Sequence, residues 1–358
     1  MLRYFILLIL MFIFTGCVVT SAGVKSLGED EYYVTVRDKA SFYGNGIASE
    51  KTFEMANDFC KKNGGNFNKI KMSTSNATTG HFASARLSFR CDGKENKQVV
   101  ALDKKTIDSN FNFKINPIKN VNSFALIIGI NNYKRNTNVE YADLSALAFE
   151  ELAQKTLGIP KENIITLLND DATSGQIKAN IELIKELSDR RGNLYVYFAG
   201  HGVPAKDGST YLLPSDMSAD SIQLEPNLKL DTIYAKLAKA QAKNVFVFMD
   251  SCFSGKDDKG SLLYKGVAPV LRTKKTRISS NKLTILTAGK STDFANDYEN
   301  KQQRMFTYFL IKELATGKKH LNKIYPDIQS DVKRASLRKG IGYKQVPQIY
   351  GNKRVSLY

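Results

Sequence analysis

Two short polar stretches of this sequence, each at the end of an apolar run, hold side chains suited to nucleophilic chemistry. His201 lies between Gly200 and Gly202, and Cys252 follows Asp250 by two positions. An imidazole beside a thiol can take its proton near neutral pH, and the resulting thiolate is a nucleophile. The pair therefore predicts covalent catalysis by Cys252, with His201 as the general base.

Each stretch follows a segment with the composition of a buried strand. Residues 193–199 read NLYVYFA, and residues 245–249 read VFVFM. Continuous apolar runs rich in β-branched and aromatic residues are typical of strands covered on both faces. In open parallel sheets the functional site lies beyond the carboxyl ends of the strands. Two neighbouring parallel strands would therefore bring His201 and Cys252 to the same edge of a sheet.

The motifs G-H-G and D-S-C-F-S-G, in this order and each after a strand, resemble those of the caspase-like cysteine peptidases. Among them the bacterial metacaspase-like members are the most similar. Roughly 50 residues separate the histidine from the cysteine, which is the caspase spacing. Animal caspases have Q-A-C-x-G where this sequence has Asp250-Ser251-Cys252-Phe253-Ser254-Gly255. The resemblance covers about residues 122–358 and implies a caspase-like α/β/α sandwich with a mostly parallel sheet.

The resemblance also implies roles for residues around the pair. The backbone amides of Gly202 and Cys252 would stabilise the oxyanion of the reaction. Asp250 and, by a less secure match, Asp143 would form a pocket that selects Arg or Lys before the scissile bond, since carboxylates bind such cations through charge-assisted hydrogen bonds. The alternatives are that Asp250 caps the turn after it and that Asp143 is only the N-cap of its helix.

No cofactor is predicted. Some metacaspases use calcium, and calcium dependence stays an alternative here without a motif to support it. The acidic loop residues match no calcium-loop spacing, so solvated surface carboxylates are the other interpretation of them. These residues are Asp207, Asp216, Asp220, Asp257 and Asp258.

The amino terminus predicts lipid anchoring. After Arg3, residues 4–14 form an apolar run that is too short for a membrane span of about 20 residues and suits a signal peptide. The run ends in F-T-G-C, which resembles a bacterial lipobox with Cys17 as the lipidated residue. We expect a signal peptide over residues 1–16, a tether over 17–30, and a protein on the outer membrane facing the periplasm. An ordinary signal peptide with a chance cysteine is the alternative.

The oxidising envelope makes the other cysteines informative. A helix over residues 49–63 places Cys60 on its apolar face, and alternation over 81–91 places Cys91 on the apolar side of a strand. A Cys60–Cys91 disulfide in a small α+β domain over residues 31–92 follows, with two buried thiols as the alternative. Cys252 is then the odd cysteine of the set, as a catalytic thiol must be.

The rest of the chain supports two domains. Residues 93–121, rich in lysine and asparagine, predict a linker, and residues 122–358 alternate strands with helices, which predicts a parallel sheet covered on both faces. The formal charge of +17 favours anionic surroundings. Solvated lysines without a specific partner are the alternative, and no motif supports nucleic-acid binding. The lysine-rich loop over residues 256–282 is a candidate for self-cleavage.

These features together predict a lipid-anchored cysteine endopeptidase with a peptide or protein substrate. A catalytically silent envelope lipoprotein that uses the same fold to bind a partner is the alternative.

Overall fold

The computed structural model describes residues 19–28, 31–38, 46–63, 66–77, 82–92, 107, 109–205, 207–253, 280–290 and 293–358. The chain divides into two compact units, Met1–Leu102 and Asp103–Tyr358. The predicted signal peptide, Cys17 and most of the lysine-rich loop after Cys252 lie outside the described residues. Among the helices of the described residues, none has the length and apolarity of a membrane span.

The first unit is a four-stranded antiparallel sheet in the order β1-β2-β4-β3 with one helix packed on it. Alternate residues of the central strands, such as Val34, Val36 and Leu87, are buried against Ala56 and Cys60 of the helix. The period of two in these strands and of 3.6 in the helix therefore builds one small core. The elements are β1 (Val19–Gly28), β2 (Glu31–Asp38), α1 (Gly46–Lys62), β3 (Asn66–Ser75) and β4 (Ala83–Asp92).

The predicted disulfide is present in this unit. Cys60 of α1 and Cys91 of β4 are joined with an S–S distance of 2.08 Å and a Cα–Cα distance of 5.1 Å. The bond crosses from the helix to the sheet, so it ties together the two layers that share the core.

Two segments of the first unit differ from the prediction. Residues 17–30 were expected to be a tether, but Val19–Gly28 is strand β1, paired along the edge of the sheet with β2. Strand β3 was not predicted at all. Both are edge strands whose register is interrupted, between Ser21 and Val24 in β1 and between Lys69 and Lys71 in β3. An edge strand is half solvated and a bulge breaks the period of two, so neither segment carries a clear hydrophobic alternation.

The second unit is built on a six-stranded sheet in the order β14-β11-β10-β7-β5-β6. All neighbours are parallel except β14, which runs antiparallel to β11. The predicted α/β fold with a mostly parallel sheet is therefore confirmed. The strands are β5 (Phe124–Gly129), β6 (Ile164–Leu168), β7 (Asn193–Ala199), β10 (Asn244–Asp250), β11 (Leu283–Thr287) and β14 (Gln348–Gly351).

Helices cover the sheet in two groups. Helix α2 packs on α5 and α5 packs on α6, whereas α3 packs on α4. The central strands are buried along almost their whole length because they lie between these helices. The helices are α2 (Ala142–Lys155), α3 (Ser174–Leu187), α4 (Leu230–Ala238), α5 (Met305–Ala315) and α6 (Leu321–Arg338).

Part of the predicted linker over residues 93–121 belongs to the second unit. Ile107 and Phe111 are buried in its core, and the amide of Lys114 donates to the carbonyl of Ala315 at 2.8 Å. Asn112 and Lys114 are exposed, and the side chain of Asn110 donates to the carbonyl of Lys301 at 2.7 Å, so the polar composition of the segment indicated a linker. Two short hairpins complete this unit: β8 (Gly202–Pro204) with β9 (Thr210–Leu212), and β12 (Asp297–Tyr298) with β13 (Gln303–Arg304).

Candidate active site

Strands β7 and β10 are parallel neighbours and deliver the predicted pair to one edge of the sheet. Ala199 pairs with Asp250 at the ends of the two strands, and the amide of Gly200 donates to the carbonyl of Asp250 at 3.3 Å. His201 and Cys252 each come two residues after these ends. The apolar runs of β7 and β10 thus form the platform from which both side chains project.

The imidazole of His201 is buried and held by the loop before α2. Its Nε2 lies 2.8 Å from the carbonyl oxygen of Thr137. Because a carbonyl only accepts, Nε2 carries the hydrogen, and in the neutral ring Nδ1 is then the acceptor. Tyr133 adds a second restraint: its hydroxyl accepts from the His201 amide at 2.9 Å and donates to the carbonyl of Leu213 at 3.2 Å.

Sequence reasoning did not identify Thr137 or Tyr133. Thr137 acts through its backbone carbonyl, which every residue type has, so no pattern of side chains could have marked it. Tyr133 lies in a polar loop after β5 and is 7% exposed, which is low for a loop tyrosine. An aromatic residue inside a polar loop was the one available signal.

The thiol of Cys252 is 9% exposed and is not part of a disulfide. It donates to the backbone carbonyl of Asp293 at 3.3 Å. Asp293 lies in the loop after β11, the neighbour of β10 on the side away from β7. The nucleophile candidate is thus flanked by the His201 strand on one side and by the Asp293 loop on the other.

Gly202 brings its backbone against that of Cys252. A Cβ at this position would lie 2.7 Å from the carbonyl oxygen of Cys252 and 2.3 Å from the ring of Phe253, so only glycine fits. Gly202 is opposite Leu212 in the β8–β9 hairpin, one step from the hydrogen bond of Leu213 to His201. Hydrogen-bonded and non-hydrogen-bonded pairs alternate in antiparallel strands, so the Gly202 N–H points away from β9. That amide can therefore serve another acceptor.

Asp250 is fully buried and has partners within the protein. Its Oδ2 accepts from the amide and the hydroxyl of Thr307, at 2.9 and 2.6 Å. Its Oδ1 lies 3.8 Å from Nε of Arg304, which is 1% exposed. The carboxylate therefore caps the first turn of α5, a distant helix. The turn after β10, which the alternative interpretation assigned to it, lies partly outside the described residues.

A hydroxyl chain extends from this carboxylate into the core. The hydroxyls of Thr307 and Tyr197 are 2.7 Å apart. Because Thr307 donates its hydrogen to Asp250, Tyr197 must donate to Thr307. Burial first, and then the negative charge of Asp250, raise the pKa of Tyr197 well above its usual value. Tyr197 therefore keeps its proton and remains a donor towards the carboxylate end of the chain.

Asp143 has hydrogen-bond partners within the protein. It lies in the first turn of α2, where its Oδ1 accepts from the Leu144 amide at 2.8 Å and its Oδ2 from the Asn169 side chain at 2.9 Å. Asn169 follows β6, so this hydrogen bond joins the start of α2 to the end of that strand. The N-cap of α2 is Tyr141, so the alternative role of Asp143 as the N-cap is wrong.

A groove of about 710 Å³ adjoins the site, and Asp293 is one of its lining residues. Three exposed lysines make it basic: Lys290, Lys333 and Lys344. The aromatic ring of Phe294 also contributes to its wall. A peptide chain bound across Cys252 and along this groove would meet positive charge.

Two of the acidic residues considered for calcium have protein partners, whereas Asp257 and Asp258 lie outside the described residues. Asp216 accepts from the Ser174 amide at 2.8 Å, and Asp207 accepts from the Ser209 amide at 2.9 Å. Among the described residues, no three side chains of His, Cys, Asp or Glu come together as a metal site requires.

The sequence of the second unit matches a known protein family. The family model of the Caspase domain matches residues 122–358. No curated protein matches the sequence significantly. The crystal structure of protein GSU0716 from Geobacter sulfurreducens is 18% identical, covers 64% of this chain and 92% of its own, and has a TM-score of 0.47. The structure of pro-sf-caspase-1 is 15% identical, covers 68% of this chain and 94% of its own, and has a TM-score of 0.45.

Proposed function

Because the chain belongs to the caspase family, we propose that it is a cysteine endopeptidase in which Cys252 is the nucleophile and His201 the general base. The observation that carries the proposal is the contact of His201 Nε2 with the carbonyl of Thr137. This contact leaves Nδ1 as the acceptor on an imidazole at the same sheet edge as the thiol. A base oriented by a third group is the arrangement that activates a nucleophile.

The reaction follows from these groups. The Cys252 thiol leaves its hydrogen bond to the Asp293 carbonyl and passes its proton to Nδ1 of His201. The thiolate attacks the scissile carbonyl carbon, and the amides of Gly202 and Cys252 stabilise the oxyanion. The imidazolium then gives its proton to the leaving amine. A water molecule, deprotonated by the same histidine, hydrolyses the thioester and restores the thiol.

Cleavage after Arg or Lys is the finer prediction, and it depends on Asp250 meeting a substrate cation. The buried position of Asp250 and its contacts with Thr307 and Arg304 do not support it. The endopeptidase proposal is independent of this specificity, because it rests on the thiol and the imidazole.

A catalytically silent binding protein is the second candidate. The feature in its favour is the low exposure of the Cys252 thiol and its hydrogen bond to the Asp293 carbonyl. A thiol that donates to a carbonyl is not a thiolate, so the Asp293 loop must release it before it can react.

A peptide-library digest with purified protein distinguishes the two. We expect the wild type to cleave library peptides and a thiol-reactive peptide probe to label Cys252. Cys252→Ala should abolish both signals, whereas His201→Ala should abolish turnover and slow labelling. Turnover that survives in Cys252→Ala would identify a contaminating protease. A folded wild type that neither cleaves nor is labelled would support the silent binding protein.

For location we propose lipid anchoring at the cell envelope through Cys17. The motif F-T-G-C after a short apolar run is its basis. Cys17→Ser should stop lipid attachment and move the protein out of the membrane fraction. Unchanged maturation and membrane fractionation of Cys17→Ser would refute the anchor.

A further inference from the structure

Arg304 is a fully buried cation beneath the edge of the sheet that carries Cys252. Its side chain is 1% exposed, and its guanidinium contacts segments on several sides of the site. Nη2 donates to the carbonyl of Ala295, Nη1 donates to the carbonyl of Glu140 at 3.4 Å, and Nε lies 3.8 Å from Oδ1 of Asp250. Its backbone amide donates to the hydroxyl of Ser145 in α2 at 2.8 Å.

These three contacts connect the segments that build the site. Asp250 comes two residues before the nucleophile. Ala295 comes two residues after Asp293, whose carbonyl accepts from the Cys252 thiol. Glu140 lies in the loop that also carries Thr137, the partner of the His201 imidazole. A planar guanidinium with several fixed donors can hold such segments in one geometry, which a flexible ammonium cannot do as well.

The same guanidinium decides what Asp250 can bind. A buried carboxylate needs a counter-charge and hydrogen-bond donors, and Arg304 and Thr307 already supply them. A substrate arginine or lysine directed at this carboxylate would bring a second positive charge close to Arg304. Like charges repel strongly where little water screens them. The basic groove lined by Lys290, Lys333 and Lys344 disfavours a positively charged substrate as well.

We propose that Arg304 is a positioning and specificity-determining residue: it is the resident cation of Asp250, and it excludes basic substrate side chains from the site. The inference rests on the proposed peptidase function for its substrate side. The enzyme accordingly selects neutral or acidic residues before the scissile bond. The carboxylate that would bind a basic residue is already neutralised from within the fold.

The first test is the charge preference of the wild type. Otherwise identical peptides would carry Arg, Lys, Asp, Asn, Ala or Leu before the scissile bond. We expect kcat/KM for the Arg and Lys peptides to lie at least on the order of tenfold below the best of the others. A wild type that prefers the Arg or Lys peptide overturns the proposal.

Arg304→Ala tests the same point by removing the cation. Asp250 then loses the positive charge of Arg304, so turnover of the Arg peptide relative to the Ala peptide should rise by on the order of tenfold, although turnover of all peptides falls. If Arg304 had a purely structural role, its removal would lower the turnover of all peptides by the same factor and leave the ratio between the Arg and Ala peptides unchanged. That result contradicts the proposal. In Asp250→Asn/Arg304→Ala both charges are absent, so turnover of the Arg peptide relative to the Ala peptide should not rise.

A third measurement does not depend on turnover. Low millimolar guanidinium ion should raise the melting temperature of Arg304→Ala, because it can occupy the vacated place beside Asp250. The same concentration of sodium ion should not, and neither the wild type nor Asp250→Asn/Arg304→Ala should respond. An Arg304→Ala protein that guanidinium does not stabilise contradicts the proposal. If guanidinium stabilises Arg304→Ala but the wild type neither cleaves peptides nor is labelled at Cys252, the role of Arg304 beside Asp250 stands and the proposed peptidase function is wrong.

If Arg304→Ala does not fold, Arg304→Lys replaces it. Lysine keeps the positive charge but lacks the two terminal guanidinium nitrogens that donate to the carbonyls of Ala295 and Glu140. We expect kcat to fall while the low relative turnover of the Arg and Lys peptides persists. A relative gain of the basic peptides in Arg304→Lys would show that charge at this position does not set the preference.

Discussion

Gly202→Ala should disable the site with little damage to the rest of the fold. The added methyl would lie 2.7 Å from the carbonyl oxygen of Cys252 and 2.3 Å from two carbons of the Phe253 ring. The ring can turn away, because it is a side chain, but the Cys252 carbonyl is backbone. Relief therefore requires the nucleophile segment and the segment after His201 to move apart.

The expected loss of catalytic rate follows from the size of that movement. Ordinary van der Waals contact of a Cβ begins at 3.4 Å, so the methyl and the carbonyl oxygen, which would lie 2.7 Å apart, must separate by about 0.7 Å. A displacement near 1 Å between reacting groups costs about 10²-fold in rate, which corresponds to about 2.7 kcal/mol. Overpacking of this kind also costs about 1–3 kcal/mol in stability.

The assay compares kcat/KM for one good peptide, together with the rate at which the thiol-reactive probe labels Cys252. Gly175→Ala is the matched control, because a methyl there meets only Thr173 Oγ1, at 4.0 Å, and should leave both rates unchanged. Gly202→Ala/Phe253→Leu should recover part of the lost rate, because it removes the ring contact and keeps the backbone contact. If Gly202→Ala stays within threefold of the wild type, the close approach of the two backbones does not matter for catalysis, and the reasoning fails.

Three further predictions concern stability and the orientation of the base. The double variant Cys60→Ser/Cys91→Ser removes a disulfide between residues 31 positions apart, so the free energy of unfolding of the first unit should fall by about 3.5–4 kcal/mol with peptide turnover unchanged. Urea unfolding measures this change, and an unchanged midpoint would contradict the prediction. Tyr133→Phe removes the hydroxyl that accepts from the His201 amide and should lower kcat by about tenfold, with KM nearly constant; a wild-type kcat would exclude this role. Hydrogen bonds from two lysines lower the pKa of Glu182 from 4.5 to about 2, so its contribution to stability is complete above pH 4.5 and is lost as the pH falls towards 2. The Glu182 side chain is 39% exposed, and screening by solvent limits that contribution to less than about 1 kcal/mol. The melting temperature of Glu182→Gln should therefore fall less than that of the wild type when the pH is lowered from 4.5 towards 2.

The strands that present the candidate pair were predictable from local pattern. Residues 194–199 and 245–249 are buried apolar or aromatic residues because helices cover both faces of the sheet, and a short continuous run of that composition is typical of a buried strand. The glycine after His201 and the cysteine after Asp250 are likewise visible in the chain itself. The disulfide was predictable because Cys60 and Cys91 each sit on an apolar face whose period of 3.6 or 2 can be read directly.

Edge strand β1 was not predictable in the same way. Within the described sheet β1 pairs with β2 alone, and this pairing is interrupted between Ser21 and Val24. Its residues therefore carry no regular alternation, and the pairing energy comes from backbone hydrogen bonds that any sequence can make.

The partners of the site residues were decided by tertiary structure alone. The carbonyl of Thr137 orients His201 across 64 positions of sequence, and the carbonyl of Asp293 accepts from Cys252 across 41. The resemblance implied that Asp250 binds a cation of the substrate, and the fold brings Arg304 to it from a segment 54 residues later. Periodicity reports whether a residue is buried and in which local conformation. The charged group or carbonyl that contacts a buried site residue is determined by the packing of loops that are distant in sequence. A buried ion needs a partner, and only the tertiary structure decides which group is near enough to serve.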